Sequence, residues 1–233
     1  MNALPLSVAL CLALAPAALG GTISLSGGLG TGSWGLPATL PINGTFTQSF
    51  ARTVPGLGSI SGDVVITNTS GTRFDLTVTN TTFQMIGAGP GALTHLTLTV
   101  TQAFVPQTPN APYNAAHSLN GSWDPLGSNN AMTATATQGL LGPNLIFLPQ
   151  LVCVNNPNPT AAFGAGPAGA TVNNSSPALY GMQCVLDFYV DGNGFIDLPN
   201  SYDATAIEVV PAPGAGVLLA GGVLVGARGR RRD

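Results

Sequence analysis

Short runs in which apolar side chains alternate with threonine or other polar residues recur through the middle of this chain. Residues 94–101 place leucine or valine at every second position with threonine between them, and residues 73–79 and 184–190 alternate in the same way. A period of two is typical of a β-strand that has one face in the core and the other in solvent. Gly-rich and Asn-rich turn sequences separate these runs.

The alternation predicts an all-β fold, an antiparallel β-sandwich of roughly eight to eleven short strands. No segment of the same region has a helical period of 3.6 with capping residues. Two stretches, residues 103–130 and 155–176, are rich in Pro, Asn and Gly. We expect both of them to form long extended loops.

Charged side chains are scarce, and this excludes several classes of function. Only 6% of the residues are charged, against about 25% in typical soluble proteins. Within residues 21–209 the only Lys or Arg residues are Arg52 and Arg73, and eight carboxylates leave a net charge of about −6. Nucleic-acid binding needs clustered Lys and Arg, so it is excluded. A P-loop is excluded because the chain contains no Lys.

The C-terminal segment, residues 210–233, has an order that differs from that of a folded element. A proline motif precedes an uncharged stretch that ends at Ala227, and a cluster of arginines follows it. As a helix, the sixteen uncharged residues 212–227 would span about 24 Å, short of the roughly 30 Å hydrocarbon core. Arginines stay on the cytoplasmic side of a membrane. The residues that carry this pattern are Val210, Pro211, Ala212, Pro213, Gly214, Arg228, Arg230, Arg231 and Arg232.

This segment resembles the PEP-CTERM sorting signal of Gram-negative bacteria. Pro211 and Pro213 match the two prolines of that motif, whereas Ala212 stands where the family usually has Glu, and Asp233 follows the arginines. The resemblance implies that the tail enters the inner membrane transiently, where an exosortase recognises and cleaves it. It also implies delivery to the cell surface or extracellular matrix, near exopolysaccharide or a biofilm. An ordinary single-pass transmembrane helix is the alternative.

The N-terminal residues 1–20 have the features of a cleaved signal peptide. An apolar stretch covers residues 4–14, and the small residues Ala18 and Gly20 suit signal peptidase. The mature chain would then begin at Gly21. Residues 21–209 are long enough for one domain with a core and too short for two of ordinary size. We therefore expect a signal peptide, one extracellular β-sandwich and a sorting signal.

Two cysteines remain once the predicted signal peptide, with Cys11, is removed. Cys153 and Cys184 would then be the only thiols of an exported protein. Disulfides form in oxidising compartments, so the sequence predicts that these two residues are bonded to each other. Zinc binding is disfavoured because two thiols 31 residues apart without a neighbouring His do not have zinc-ligand spacing.

No convergent set of catalytic residues is evident, and the chain is predicted not to be an enzyme. His95 falls on the polar face of its predicted strand, and His117 falls in a predicted loop beside Ser118. Asp63 and Asp75 are predicted to lie nearly opposite each other on neighbouring strands, as a surface pair. None of these residues has the partners that a triad or a carboxylate-pair glycosidase requires.

One segment has the spacing of a calcium loop, although two ligand positions are occupied by other residues. Asp191, Asn193 and Asp197 could supply oxygen ligands to calcium, the one cofactor that the sequence suggests. Tyr189 and Asn200 stand where such a loop needs Asp and Glu. The favoured alternative is a β-hairpin whose turn is the sequence Asp-Gly-Asn-Gly, since Asp-Gly and Asn-Gly are strong hairpin signals.

These observations predict an exported, non-enzymatic surface or matrix protein. Its neutral surface, rich in hydroxyl and amide groups, could hydrogen-bond exopolysaccharide or another copy of itself, since low charge favours self-association. The alternative from another class is a carbohydrate-binding module or lectin. The aromatic residues available for stacking on a sugar are Trp34, Tyr113, Trp123, Tyr180 and Tyr202.

Overall fold

Two antiparallel β-sheets packed together form the fold in the computed structural model of the chain. The structure describes residues 21–38, 40–88, 93–104, 112–125, 131–141, 146–155, 161–172 and 180–209. The predicted signal peptide, 1–20, and the predicted sorting segment, 210–233, lie outside them. No helix in the described ranges has the length and hydropathy needed to cross a bilayer.

Thirteen strands run through the described residues. They are β1 Thr22–Gly27, β2 Gly32–Gly35, β3 Gly44–Val54, β4 Gly58–Thr69, β5 Arg73–Met85, β6 Leu93–Phe104, β7 Tyr113–Pro125, β8 Ala131–Leu141, β9 Ile146–Phe147, β10 Leu151–Asn155, β11 Ala161–Val172, β12 Tyr180–Asp191 and β13 Gly194–Glu208. The strands are more numerous than the sequence predicted, and several are longer. The predicted all-β sandwich is confirmed.

The strands divide into two sheets. Sheet A has the order β10-β8-β12-β6-β1-β2, and β9 also pairs with β8. Sheet B has the order β11-β7-β13-β5-β4-β3. Consecutive strands β12 and β13 lie at the centres of opposite sheets, so the chain crosses the sandwich between them.

The core lies between the two sheets and follows the predicted alternation. On β6 the inward residues Leu96, Leu98 and Val100 are buried, and the intervening threonines face outward. Aromatic rings join the two layers: Phe83 and Phe188 have ring centroids 6.0 Å apart. Removing these apolar side chains from water is the main force that holds the sheets together.

Both predicted long loops are wrong, because each of them contains a strand. β7 and β11 pair with each other from Tyr113↔Val172 to Trp123↔Ala161. The inward face of β7 includes the small Ala115 and the polar His117 between larger residues, so hydrophobicity alternates only weakly along this strand. β11 is mostly Ala and Gly, residues with little intrinsic preference for strands. Pairing with a neighbour, and not local propensity, accounts for these two strands.

The predicted disulfide is also wrong. Cys153 lies on β10 and Cys184 on β12, and β8 runs between these two strands. Two strand spacings alone separate the backbones by about 9.5 Å, beyond the roughly 7 Å at which a disulfide can form. Both residues are buried free thiols. Burial raises the pKa of the Cys184 thiol to about 12, so this group is protonated and unreactive at neutral pH.

The segment that was expected to be a hairpin is a corner between the sheets. β12 pairs with β6 and β8, whereas β13 pairs with β5 and β7. Gly192 has a φ of 79°, which glycine adopts without strain. Gly194, the first residue of β13, lies directly against the indole of Trp123. The Asp-Gly-Asn-Gly sequence thus redirects the chain instead of reversing it within one sheet.

Candidate functional site

Small hydroxyl side chains occupy many of the outward positions of sheet A, although Thr135 among them is buried. Direct pairing of β8, β12, β6 and β1 aligns their outward residues in rows. Neighbouring positions are about 4.8 Å apart between strands and about 6.8 Å apart along a strand. Three successive rows are Thr137-Val185-Thr99-Ser24, Thr135-Asp187-Thr97-Ser26 and Thr133-Tyr189-His95.

A hydrogen-bonded group stands within this array. His95 Nε2 lies 2.8 Å from Asp187 Oδ1, and the Thr97 hydroxyl donates to the same oxygen at 2.5 Å. The His95 side chain is 45% exposed and that of Asp187 22%. Because Nε2 faces a carboxylate, the neutral imidazole carries its proton there, and Nδ1 remains an acceptor. Asp187 therefore fixes the orientation of an exposed imidazole.

Tyr189 completes the group by stacking on this imidazole. The two rings are parallel within 2° and their centroids lie 4.2 Å apart. They are directly paired positions on neighbouring strands, so the backbone register holds them together. Leu93, two residues before His95 on the same face, is 67% exposed. Burial, with a smaller contribution from the nearby Asp187, raises the pKa of the Tyr189 phenol, which is neutral at physiological pH.

We refer to Leu93, His95, Thr97, Asp187 and Tyr189 as the ring-pair site. It offers an apolar side chain, two flat rings, a carboxylate and the two hydroxyl groups of Thr97 and Tyr189 on an open surface. Such a set can contact the apolar face of a flat ligand and hydrogen-bond its edge groups. A hydrogen bond to an ionised carboxylate is roughly twice as strong as a neutral one.

Only part of this site is predictable from the sequence. His95 lies on the exposed outward face, as predicted. The sequence places Tyr189 only as a departure from the pattern of a calcium loop. The alternation of Cys184, Leu186 and Phe188 toward the core would have placed Asp187 and Tyr189 outward. Nothing in the sequence indicates that β12 pairs with β6 in the register that brings Tyr189 to His95.

His117 is buried, and its predicted loop position is wrong. It lies on β7 with 2% exposure, whereas its neighbour Ser118 is on the other face of the strand. His117 Nε2 lies 2.9 Å from the carbonyl oxygen of Pro149, and Nδ1 lies 3.3 Å from the Tyr202 hydroxyl. This ring therefore belongs to a buried polar network and cannot reach a substrate at the surface.

The burial of His117 predicts a dependence of stability on pH. Loss of solvation lowers the pKa of its imidazole, although the hydrogen bond to Pro149 opposes the shift. The unfolded chain binds a proton at this residue below about pH 6.5, where the folded protein does not. The contribution of His117 to the free energy of unfolding is therefore complete above that pH, and stability decreases as the pH falls below it. Urea denaturation between about pH 7.5 and pH 5 measures this slope.

Two variants distinguish the histidines in that experiment. His117→Gln is expected to remove the slope. His95→Gln is the control and is expected to keep it, because this variant leaves the buried His117 ring and its contacts in place. An unchanged slope in His117→Gln would contradict the assignment to the buried ring.

The three predicted calcium ligands do not converge. Asp191 ends β12 on the outward face of sheet A, Asn193 lies at the corner, and Asp197 faces outward on sheet B. In the part of the chain that the structure describes, no group of three or more His, Cys, Asp or Glu side chains could hold a metal ion.

The predicted aspartate pair is also wrong, because the register separates its members. Asp63 pairs with Thr79, whereas Asp75 pairs with Thr67 four positions along β4. Asp63 accepts hydrogen bonds from Ser49 at 2.6 Å and Asn80 at 3.1 Å, which lower the pKa of its carboxyl. Asp75 forms an ion pair with Arg73 at 2.8 Å.

Most of the aromatic residues that were proposed to stack on sugars lie in the core. Tyr113 and Trp123 are each 1% exposed, and Tyr202 is fully buried. Trp34 is partly buried and packs against Phe50, with ring centroids 5.8 Å apart. The ring-pair site is thus a better candidate for ligand binding than the residues named from the sequence.

Comparison with known proteins gives little further information. No family model matches the chain, and no curated protein matches it. Among solved structures, the family 11 xylanase from Neocallimastix patriciarum is similar over 66% of this chain and 95% of that chain. The identity is 9% and the TM-score is 0.21. A likeness of this size carries no conclusion about the activity of this chain.

Proposed function

We propose that this protein is an exported, non-enzymatic surface or matrix protein that binds neutral polysaccharide through the outer face of sheet A. The observation that carries the proposal is the ring-pair site, where stacked His95 and Tyr189 stand beside Asp187 within rows of hydroxyl groups. The resemblance of the tail to a PEP-CTERM signal supports sorting by an exosortase to the cell surface, near exopolysaccharide or a biofilm.

A neutral polysaccharide matches the chemistry of this face. Sugar rings present hydroxyl groups at their edges and apolar C–H groups on their faces, and the site offers a counterpart to each. Threonine hydroxyls both donate and accept, and Asp187 accepts strongly. Repeating sugar units can also use the repeating rows of hydroxyls. The net charge of residues 21–209, about −6, disfavours anionic chains by like-charge repulsion.

The geometry of the same residues supports binding over catalysis. His95 and Asp187 form the base-and-carboxylate half of a hydrolytic triad. The Thr97 hydroxyl donates to Asp187 at 2.5 Å and lies 3.1 Å from His95 Nε2. Nε2 is the nitrogen that faces Asp187 and carries the proton of the neutral ring, so it cannot also take a proton from Thr97 as a general base. The group also stands on an open sheet face, where water would screen the charges of a transition state.

Replacing Tyr189 with alanine tests the proposal. Affinity electrophoresis in gels that contain dextran, galactomannan or soluble β-glucan should retard the wild-type chain, and gels that contain alginate should not. Tyr189→Ala is expected to weaken binding by about tenfold, which corresponds to about 1.4 kcal/mol. The variant removes the ring without affecting the core, since Tyr189 points outward.

The matched control is Phe195→Ala. Phe195 is also a partly exposed aromatic residue, and it faces outward from sheet B. The Phe195→Ala variant should bind polysaccharide as the wild type does. Equal losses in the two variants, or migration of the wild type unaffected by all the neutral polysaccharides, would overturn the assignment to the ring-pair site.

A further inference from the structure

The four edges of the two sheets differ in how well they are protected. On sheet A, β2 has only four residues, and the opposite edge is divided between β9 and β10. On sheet B, the register of β11 breaks between Ala165 and Ala168. Short, interrupted or bulged edges resist pairing with another chain. Three of the four edges are therefore poor templates for a further strand.

The fourth edge, β3, has none of these protections. Its eleven residues pair with β4 without a break, from Gly44↔Asn68 to Val54↔Gly58. It contains no Pro, Lys, Asp or Glu. Its outward side chains are all exposed; they are Thr45, Thr47, Ser49, Ala51 and Thr53. A long edge strand with so little charge is a template for pairing.

Two side-chain contacts on β3 agree with this interpretation. Gln48 Nε2 donates to the carbonyl oxygen of Ser49 at 2.8 Å. A backbone acceptor in the middle of the strand is therefore hydrogen-bonded by a side chain. Arg52, the one charged residue of β3, donates through Nε to the carbonyl oxygen of Leu29 at 3.3 Å. The guanidinium of Arg52 is thus hydrogen-bonded within its own chain.

We propose that β3 pairs with β3 of a second copy of this chain, in an antiparallel arrangement about a two-fold axis. The register that pairs all eleven residues places Ser49 of the two copies directly opposite each other. Because the axis is perpendicular to the sheet, the outer faces of the two copies become one continuous surface. The two B sheets then form a single sheet of twelve strands.

The charges and side chains of β3 are compatible with this register. Arg52 lies opposite Phe46 of the second copy, so its charge faces an uncharged side chain. The two Arg52 residues are six positions apart, about 20 Å, which is twice the roughly 8–10 Å screening length of physiological salt. Thr47 lies opposite Ala51. No like charges meet along the strand pair.

The size of the contact indicates the conditions under which it forms. One strand pair of this length adds about ten backbone hydrogen bonds. It buries less area than the roughly 1,200–2,000 Å² of stable interfaces. Pairing is therefore weak in dilute solution and becomes extensive when many copies are held on one surface, where the effective concentration is high.

A cysteine placed at the centre of the strand tests the proposal by trapping the pair. Residues directly opposite in an antiparallel pair have Cα atoms about 4.5–5.5 Å apart, within disulfide range. Ser49→Cys in the full chain, with Cys11→Ser in every variant, should give a disulfide-linked dimer under mild oxidation at high protein concentration. Cys153 and Cys184 are buried and do not compete.

The matched control is Thr53→Cys, an equally exposed position on the same strand. In the proposed register its two thiols are eight positions apart, about 27 Å. The Ser49→Cys variant should form about tenfold more dimer than this control. Equal yields, no dimer from either variant, or crosslinking of Ser49→Cys mainly to other proteins would each overturn the proposal. Adding Ala51→Lys should lower the yield by charging the edge.

Discussion

Replacing Gly194 with alanine is expected to lower the free energy of unfolding by about 3 kcal/mol, at the upper end of the effects of overpacking. A Cβ atom at this position would overlap the indole of Trp123. Trp123 is 1% exposed, so the ring cannot move without disturbing the packing between the sheets. The absence of a side chain at Gly194 is what allows the corner between β12 and β13 to close over the core.

The control is Gly35→Ala, which adds the same methyl group where no atom beyond the adjacent residues of the chain lies within 4 Å. Its free energy of unfolding should stay within about 0.5 kcal/mol of the wild type. Urea denaturation measures both changes. The effect at Gly194 should be the same in EDTA and in excess calcium, because its cause is steric. Equal stabilities of the two variants would contradict the packing of Trp123 on Gly194.

This corner shows the limit of local sequence signals. Asp-Gly and Asn-Gly correctly indicate a change of direction between two strands. The same residues suit a hairpin and a crossing between sheets, and the choice depends on pairing partners far away in the sequence. β12 pairs with β6 and β8, and β13 pairs with β5 and β7. The turn was therefore predicted correctly from the sequence, but the assignment of its two strands to one sheet was wrong.

The same reasoning explains which strands could be predicted. β5 and β6 alternate large apolar residues with threonine, so their inward faces can be read directly. β7 and β11 become strands because they lie beside each other at the edge of sheet B. Their small and polar residues have no clear periodicity. The disulfide prediction failed for a related reason, since only the strand order shows that β8 separates Cys153 from Cys184.

The candidate site was partly predictable. Outward positions follow from the alternation, and His95 was placed correctly. Asp187, however, reaches His95 across 92 residues of sequence, and this contact depends on the register of β6 and β12. A rule that acts over a few residues cannot supply such a register. Sites formed by directly paired positions on distant strands therefore need the structure.

Replacing Tyr202 with phenylalanine is expected to lower the free energy of unfolding by about 2 kcal/mol, although only one hydroxyl group is lost. Tyr202 is fully buried and lies 3.3 Å from His117 Nδ1 through that hydroxyl, which also contacts the Cys184 thiol. Burial raises the pKa of the Tyr202 phenol and lowers that of the His117 imidazole, so both are neutral. The hydroxyl links the two sheets at this point.

The large effect follows from the groups that the variant leaves behind. Without the phenol, His117 Nδ1 loses the partner that the Tyr202 hydroxyl provides, and a buried polar atom without a partner is costly. The control is Tyr189→Phe, which removes a hydroxyl from an outward position and should change stability by less than about 0.5 kcal/mol. Equal changes in the two variants, measured by urea denaturation, would mean that the Tyr202 hydroxyl contributes no more than an exposed one. His117 would then be held by the carbonyl of Pro149 alone.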